Sequence, residues 1–228
     1  MNQPNSSHTV YQSIRKGILA GSLEPGSRLV NRTLAKELGV SPVPVREALH
    51  RLVSDGVAEQ IPGAGTFVRK LSKDDVIQLY ALREVLEGFA ASEAARHARP
   101  DQIAELVLVC DEGLNIARRI RDEPGQVASP DLRQLWLDVE VSFHKTIIGV
   151  AGNPWLSRTI DQIHLLSAVL YAKPRTITLA EVSRTCLEHG RLVRTIGNGD
   201  SDRAQRMMVA HVKKGLSSQL AHMIQETH

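Results

Sequence analysis

Along the 228 residues, only one stretch alternates as β-strands do, and it is short. "VAEQIPGAGTFVRK", residues 57–70, holds two brief strand-like runs around "PGAG", the pattern of a hairpin. From Ser72 onward the apolar residues recur at helical spacing with no strand pattern. A sheet large enough to organise the fold is therefore excluded, and the chain must bury its apolar surface helix against helix. Aromatic residues make up only 4%, so Leu, Val, Ile and Ala have to fill the core.

The turn residues divide the chain further. "HTVYQSIRKGILA" at 8–20 puts Val10, Ile14 and Ile18 on one helical face, and "GSLEPGSRL" follows as a turn. "NRTLAKELGV" reads as a short helix with Asn31 as N-cap and Gly39 as its stop. Ser41 is expected to cap a third helix, with Val45, Leu49, Leu52 and Val53 facing inward until Gly56. Three helices followed by a hairpin make a winged helix-turn-helix. Beyond it, Pro and Gly breaks separate helices expected at about 72–98, 101–121, 131–150, 154–172, 176–197 and 200–226. The expected fold is mainly α: a winged helix-turn-helix over residues 1–70 and an antiparallel all-α bundle over 71–228.

Charge follows the same division. Residues 1–70 carry nine Lys/Arg against five acids, whereas the remainder carries 19 against 20. A basic first third suits contact with a polyanion. "VSPVPVREALHRL", 40–52, has the features of a recognition helix, whose first residues lie nearest the bases in a major groove. Pro42 and Pro44 fall in the first turn, where a missing N–H breaks no helical bond. Ser41 is placed to meet phosphate, and Arg46 phosphate or a guanine edge. Arg32 approaches the same groove from the preceding helix, and the Gly63–Gly65 tip can lie close to the DNA backbone. The competing reading pairs Arg46 with a neighbouring acid.

Seven of the nine histidines lie beyond residue 71. In "LDVEVSFHKTIIG", Glu140 and His144 are four apart and share a helix face, while Asp138 points elsewhere. His189 and His211 flank the "GNGD" turn, so antiparallel helices bring them to within roughly 4–5 Å of one level along the axis. One carboxylate and three imidazoles suit Zn²⁺, Ni²⁺ or a similar divalent ion. The same four residues also read as ordinary core or boundary side chains. Arg83 forms an i,i+4 pair with Glu87 on the bland reading. Cys110 and Cys186 match no metal or redox spacing and read as reduced core residues, and no signal peptide or membrane span is indicated, so a cytoplasmic protein is expected.

Two family resemblances sharpen these expectations. "ILAGSLEPGSRL" at 18–29, "LAKELGVSPVPVREALHRL" at 34–52 and the closing "GTFV" resemble the GntR family of bacterial transcription regulators. The resemblance implies DNA contacts from Arg32, Ser41, Pro42, Val43, Arg46 and Gly65. Many relatives carry arginine where this chain has Pro42 and threonine where it has Val43. Residues 72–226 resemble the FCD effector domain of the FadR-type branch, through "LREVLEG", "EVSFH", "EHGRLVRTIGNGD" and "AQRMMVAH". That resemblance implies a metal held by Glu140, His144, His189 and His211, with Glu140 standing where Asp is more usual. It also places Arg83 beside the metal to hold a small carboxylate effector; polar residues of 154–190, Arg175 among them, are further pocket candidates. A ligand-responsive homodimeric regulator of double-stranded DNA, a repressor and not an enzyme, is the expected function. A metal-dependent enzyme built on the Glu/His cluster, and a DNA binder with a purely structural bundle, stand as alternatives.

Overall fold

The computed structural model describes residues 7–171 and 176–225. Three helices, α1 (Ser7–Leu19), α2 (Asn31–Leu38) and α3 (Pro42–Ser54), lead into an antiparallel hairpin of β1 (Ala58–Ile61) and β2 (Gly65–Val68). Pro42 and Pro44 occupy the first and third positions of α3, where no helical hydrogen bond is lost. Gly39 ends α2 in the left-handed conformation, φ 66°, which a side chain would resist. Val10, Ile14 and Ile18 of α1 meet Val45, Leu49 and Leu52 of α3 in one buried core, with Leu34, Val57 and Val68 around them. Val53, expected to face inward, is only partly buried at its edge.

Two local expectations fail. Asn31 is the first helical residue of α2, and Val30 takes the cap position; the Leu34 N–H bonds to the Val30 carbonyl. Ser41 does stand at the N-cap of α3, but its side chain makes no capping bond. The wing is also broader than the hairpin. Gly26 and Leu29 donate to the Val68 and Thr66 carbonyls at 2.9 and 2.8 Å, and the Val68 N–H returns to Ser27. The "PGSRL" turn thereby pairs with β2.

The rest is helical: α4 (Lys73–His97), α5 (Pro100–Arg121), α6 (Pro130–Val150), α7 (Pro154–Tyr171), α8 (Leu179–Gly197) and α9 (Ser201–Gln225). α4 packs along α9, and α5 packs against α6 and α8. Ile116, Ile120, Trp136, Val139 and Val182 fill the layer among α5, α6 and α8. Three of the six helices open on proline, where the sequence placed the breaks. α8 begins later than residue 176 because its approach is used otherwise. The Ala128 N–H bonds to the Ile177 carbonyl at 2.9 Å, and the Thr178 hydroxyl then caps α8 by accepting the Glu181 N–H at 3.3 Å. The expected helix ends at 172 and 226, and Arg175, lie outside the described residues.

By their contacts the residues form two units. One is the chain up to Ser72 together with α7 from Gln162 on; the other is Lys73–Asp161 with the chain from Arg175. Leu165 and Val169 of α7 are buried in the core shared by α1 and α3. Among the described residues, no helix is long and apolar enough to cross a membrane.

Candidate metal centre and nucleic-acid interface

α6 carries Glu140 and His144 one turn apart, and the turn at Gly199 brings His189 of α8 level with His211 of α9. One ligand atom from each of the four lies within 4.8 Å of all the others. The Nε2 atoms of His189 and His211 are 3.3 Å apart, and Glu140 Oε1 is 3.6 Å from His189 Nε2. Ligands about 2.0–2.1 Å from a tetrahedral ion stand about 3.3–3.4 Å from one another. The His189–His211 and Glu140–His189 separations are close to that spacing, and no pair among the four exceeds 4.8 Å, so the group could hold a divalent metal.

Protonation fits as well. Burial is the largest influence on His144 and brings its pKa down to about 4, against the opposing pull of Glu87. His189 is held well below the usual imidazole range by burial first and then by the neighbouring His211 and His144. Both rings are neutral at pH 7, and a neutral imidazole offers the lone pair that a metal needs. Phe143 stacks on the His189 ring at 3.5 Å between centroids and fixes its plane.

The second layer was not foreseen from the sequence. Glu188 Oε2 stands 3.0 Å from His211 Nδ1, and Glu188 Oε1 accepts from Lys214. Burial works against the Glu188 carboxylate, yet the hydrogen bonds from His211 and Lys214 bring its pKa down to about 2. Glu87 Oε2 stands 2.5 Å from His144 Nδ1. Each carboxylate thus takes the Nδ1 side of an imidazole and leaves Nε2 as the nitrogen available to a metal, the arrangement seen behind metal-bound histidines. Neither contact follows from spacing, because Glu87 and Glu188 reach histidines on other helices.

Arg83 forms the predicted bond to Glu87, Nε to Oε1 at 2.6 Å, but the pair is buried. Its guanidinium also lies over the Tyr80 ring, 4.8 Å from the centroid. Asp138 stays out of the site: it accepts from Gln134 and lines a shallow groove of about 480 Å³ with Val141, Ser142 and Lys145.

In the amino-terminal unit, Arg32, Ser41, Pro42, Val43 and Arg46 are all exposed, Val43 to 52%. Arg46 makes no ion pair among the described residues. Gly65 has φ 117°, and a Cβ there would press to 3.1 Å from the Arg28 guanidinium. The Arg28 guanidinium thereby lies against the tip end of the wing, a position that the sequence did not single out.

Comparison with known proteins agrees with this architecture. Residues 6–68 match the bacterial regulatory proteins of the gntR family, and residues 78–214 match the FCD domain. An uncharacterized HTH-type transcriptional regulator from the TAR-I ttuE-ttuC′ intergenic region of Agrobacterium vitis is 31% identical over 144 residues, 62% of this chain and 78% of that protein. A probable D-xylose utilization operon transcriptional repressor of Paenarthrobacter nicotinovorans is 26% identical over 196 residues, covering 86% of this chain and 80% of that one. The fold of Escherichia coli McbR/YncC superposes with a TM-score of 0.76 at 22% identity, over 98% of this chain and 100% of the other. These relatives are regulators of transcription and not enzymes, which removes the enzymatic reading of the Glu/His cluster. The chain belongs to the GntR family of bacterial transcription regulators, with an FCD domain as its second part.

Proposed function

We propose that this regulator senses a small organic acid at a divalent metal, Zn²⁺ or Ni²⁺, held by Glu140, His144, His189 and His211. The observation that carries the reading is the convergence of those four donors, three of them imidazoles, with a carboxylate behind two of the rings. A bound metal would supply a Lewis-acid site for the carboxylate of the effector. Arg83 would supply the matching cation, since a guanidinium takes a carboxylate through two parallel hydrogen bonds. DNA is then read by Arg32, Ser41, Pro42, Val43 and Arg46, with Gly65 letting the wing approach the phosphates. Without arginine at Pro42, Val43 offers a methyl contact to thymine in its place.

Two copies acting as a homodimer would read two half-sites, and effector binding would alter their joint affinity. Repression relieved by the acid is the form we favour, in keeping with the repressor named among the relatives. The protein would work in the cytoplasm, where its operator lies. The test is metal analysis of the purified protein, with operator binding measured before and after chelation. A thermal-shift screen of small carboxylates with and without metal then looks for stabilisation of RT ln(1 + [L]/Kd) that needs the ion. If His189→Ala and His211→Ala change neither metal content nor ligand response, the sensing reading fails.

A further inference from the structure

We propose that Glu87 joins the two halves of this site, one carboxylate oxygen orienting His144 and the other holding the Arg83 guanidinium beside it. The orientation needs no ion; its effect on metal affinity rests on the function proposed above.

Glu87 is 1% exposed, and a carboxylate buried to that degree has to be matched on both oxygens. Oε1 takes Arg83 Nε at 2.6 Å and Oε2 meets His144 Nδ1 at 2.5 Å. Arg83 and Glu87 lie one turn apart on α4, whereas His144 comes from α6. The carboxylate is therefore the bridge between a cation on one helix and a ligand on another. Glu188 plays a similar part behind His211, but its cation, Lys214, has a side chain 58% exposed to water. The Arg83 side chain is 9% exposed, so its fork is held where the carboxylate places it.

Donor counting shows why the residue must be an acid. A carboxylate accepts the Arg83 Nε–H on one oxygen and can take the His144 Nδ1–H on the other, which stands 2.5 Å from that nitrogen. A glutamine offers one oxygen and one NH2 group. Turned toward Arg83, the NH2 sets two donors face to face in a buried place. Turned toward His144, it asks for a lone pair on Nδ1, which moves the ring proton to Nε2. That is the nitrogen otherwise available to a metal, and a protonated nitrogen does not ligate. Glu87→Gln is nearly isosteric and still breaks one arm of the bridge.

The experiment uses the full chain in two states. In metal-free protein, long-range proton–nitrogen spectra report which nitrogen of His144 is protonated, with its signals assigned by their loss in His144→Ala. Wild type should carry the proton on Nδ1, Glu87→Gln should shift it wholly or partly to Nε2, and Glu188→Gln should leave it unmoved. Zn²⁺ titration against a chromophoric chelator should then find affinity about 10–100-fold lower in Glu87→Gln, the range for losing such a partner. In the double variant with His144→Ala, the Glu87 change should have no further effect on Zn²⁺ affinity. Wild-type His144 protonated on Nε2, or a Glu87→Gln protein in which neither the His144 tautomer nor the Arg83 Nε–H signal changes, overturns the proposal without needing any variant to bind metal. If wild type takes up no Zn²⁺ but the tautomers behave as stated, the metal reading falls while the role of Glu87 in orienting His144 stands.

Discussion

Gly88 lies on the face of α4 that meets α9. A Cβ added there would stand 2.9 Å from Val209 Cγ2 and 3.5 Å from Gln205 Cγ. Carbon atoms settle at about 3.5–4.0 Å, so the first contact is short by more than half an ångström. Val209 is β-branched and has essentially one χ1 rotamer in a helix, so it cannot swing aside. Gly88→Ala gains about 1 kcal/mol of helix propensity. It loses about 1–3 kcal/mol to overpacking. The packing loss wins, with a net destabilisation on the order of 1 kcal/mol and a Tm lower by about 2–4 °C. Gly149 on α6 is the control: it is exposed, nothing lies within 4 Å of its added Cβ, and alanine there should raise stability by about 0.5–1 kcal/mol. Thermal melts followed by circular dichroism measure both. In a Val209→Ala background, which removes the offending methyl, Gly88→Ala should become stabilising. A Gly88→Ala protein that melts at or above wild type in the unaltered background refutes the packing argument.

Other outcomes follow from the same structure. Thr178→Ala, which removes a hydroxyl that accepts the Glu181 N–H, should lower stability by about 0.5–2 kcal/mol, whereas Ser41→Ala, with no capping bond to lose, should leave the melt within a few tenths of wild type. Arg46→Ala should weaken operator binding; if Arg46 meets phosphate, the slope of log K against log salt falls by about one unit and all sequences suffer alike, and if it meets a guanine, discrimination at one base pair relaxes. Tyr11 has its pKa raised above 10.0, first by burial and then by its hydrogen bond to Asp55. Its contribution to stability is thus complete below that pH and is lost as pH climbs through the raised value; melts at alkaline pH should show this loss in wild type and not in Tyr11→Phe.

Much of the fold was legible because its punctuation is local. Gly39 and Pro42 act on their own backbone, and the Pro100, Pro130 and Pro154 helix starts need no tertiary contact. The histidine cluster was legible through helical period and the length of one turn, since these fix where His189 and His211 fall. Asn31 shows the limit of such reasoning: its residue type favours a cap, but the chain enters the helix one residue earlier at Val30. Glu87 and Glu188 lay beyond it entirely. Their partners sit on other helices, 57 and 23 positions away, and spacing within one helix cannot report that. The pairing of 127–128 with 177–178, which delays α8, is hidden for the same reason.

Leu165 and Val169 place part of α7 in the core of the amino-terminal unit. In the order of synthesis, that core stays incomplete until residue 169 has emerged. About a hundred residues separate Val68 from Val169, several seconds or more of translation at roughly 5–20 residues per second. Through that interval the nascent DNA reader carries an open apolar surface while α4, α5 and α6 are being made. Biogenesis of the two units is therefore interleaved, and a gene fragment ending near residue 70 yields a reader with a notch in its core.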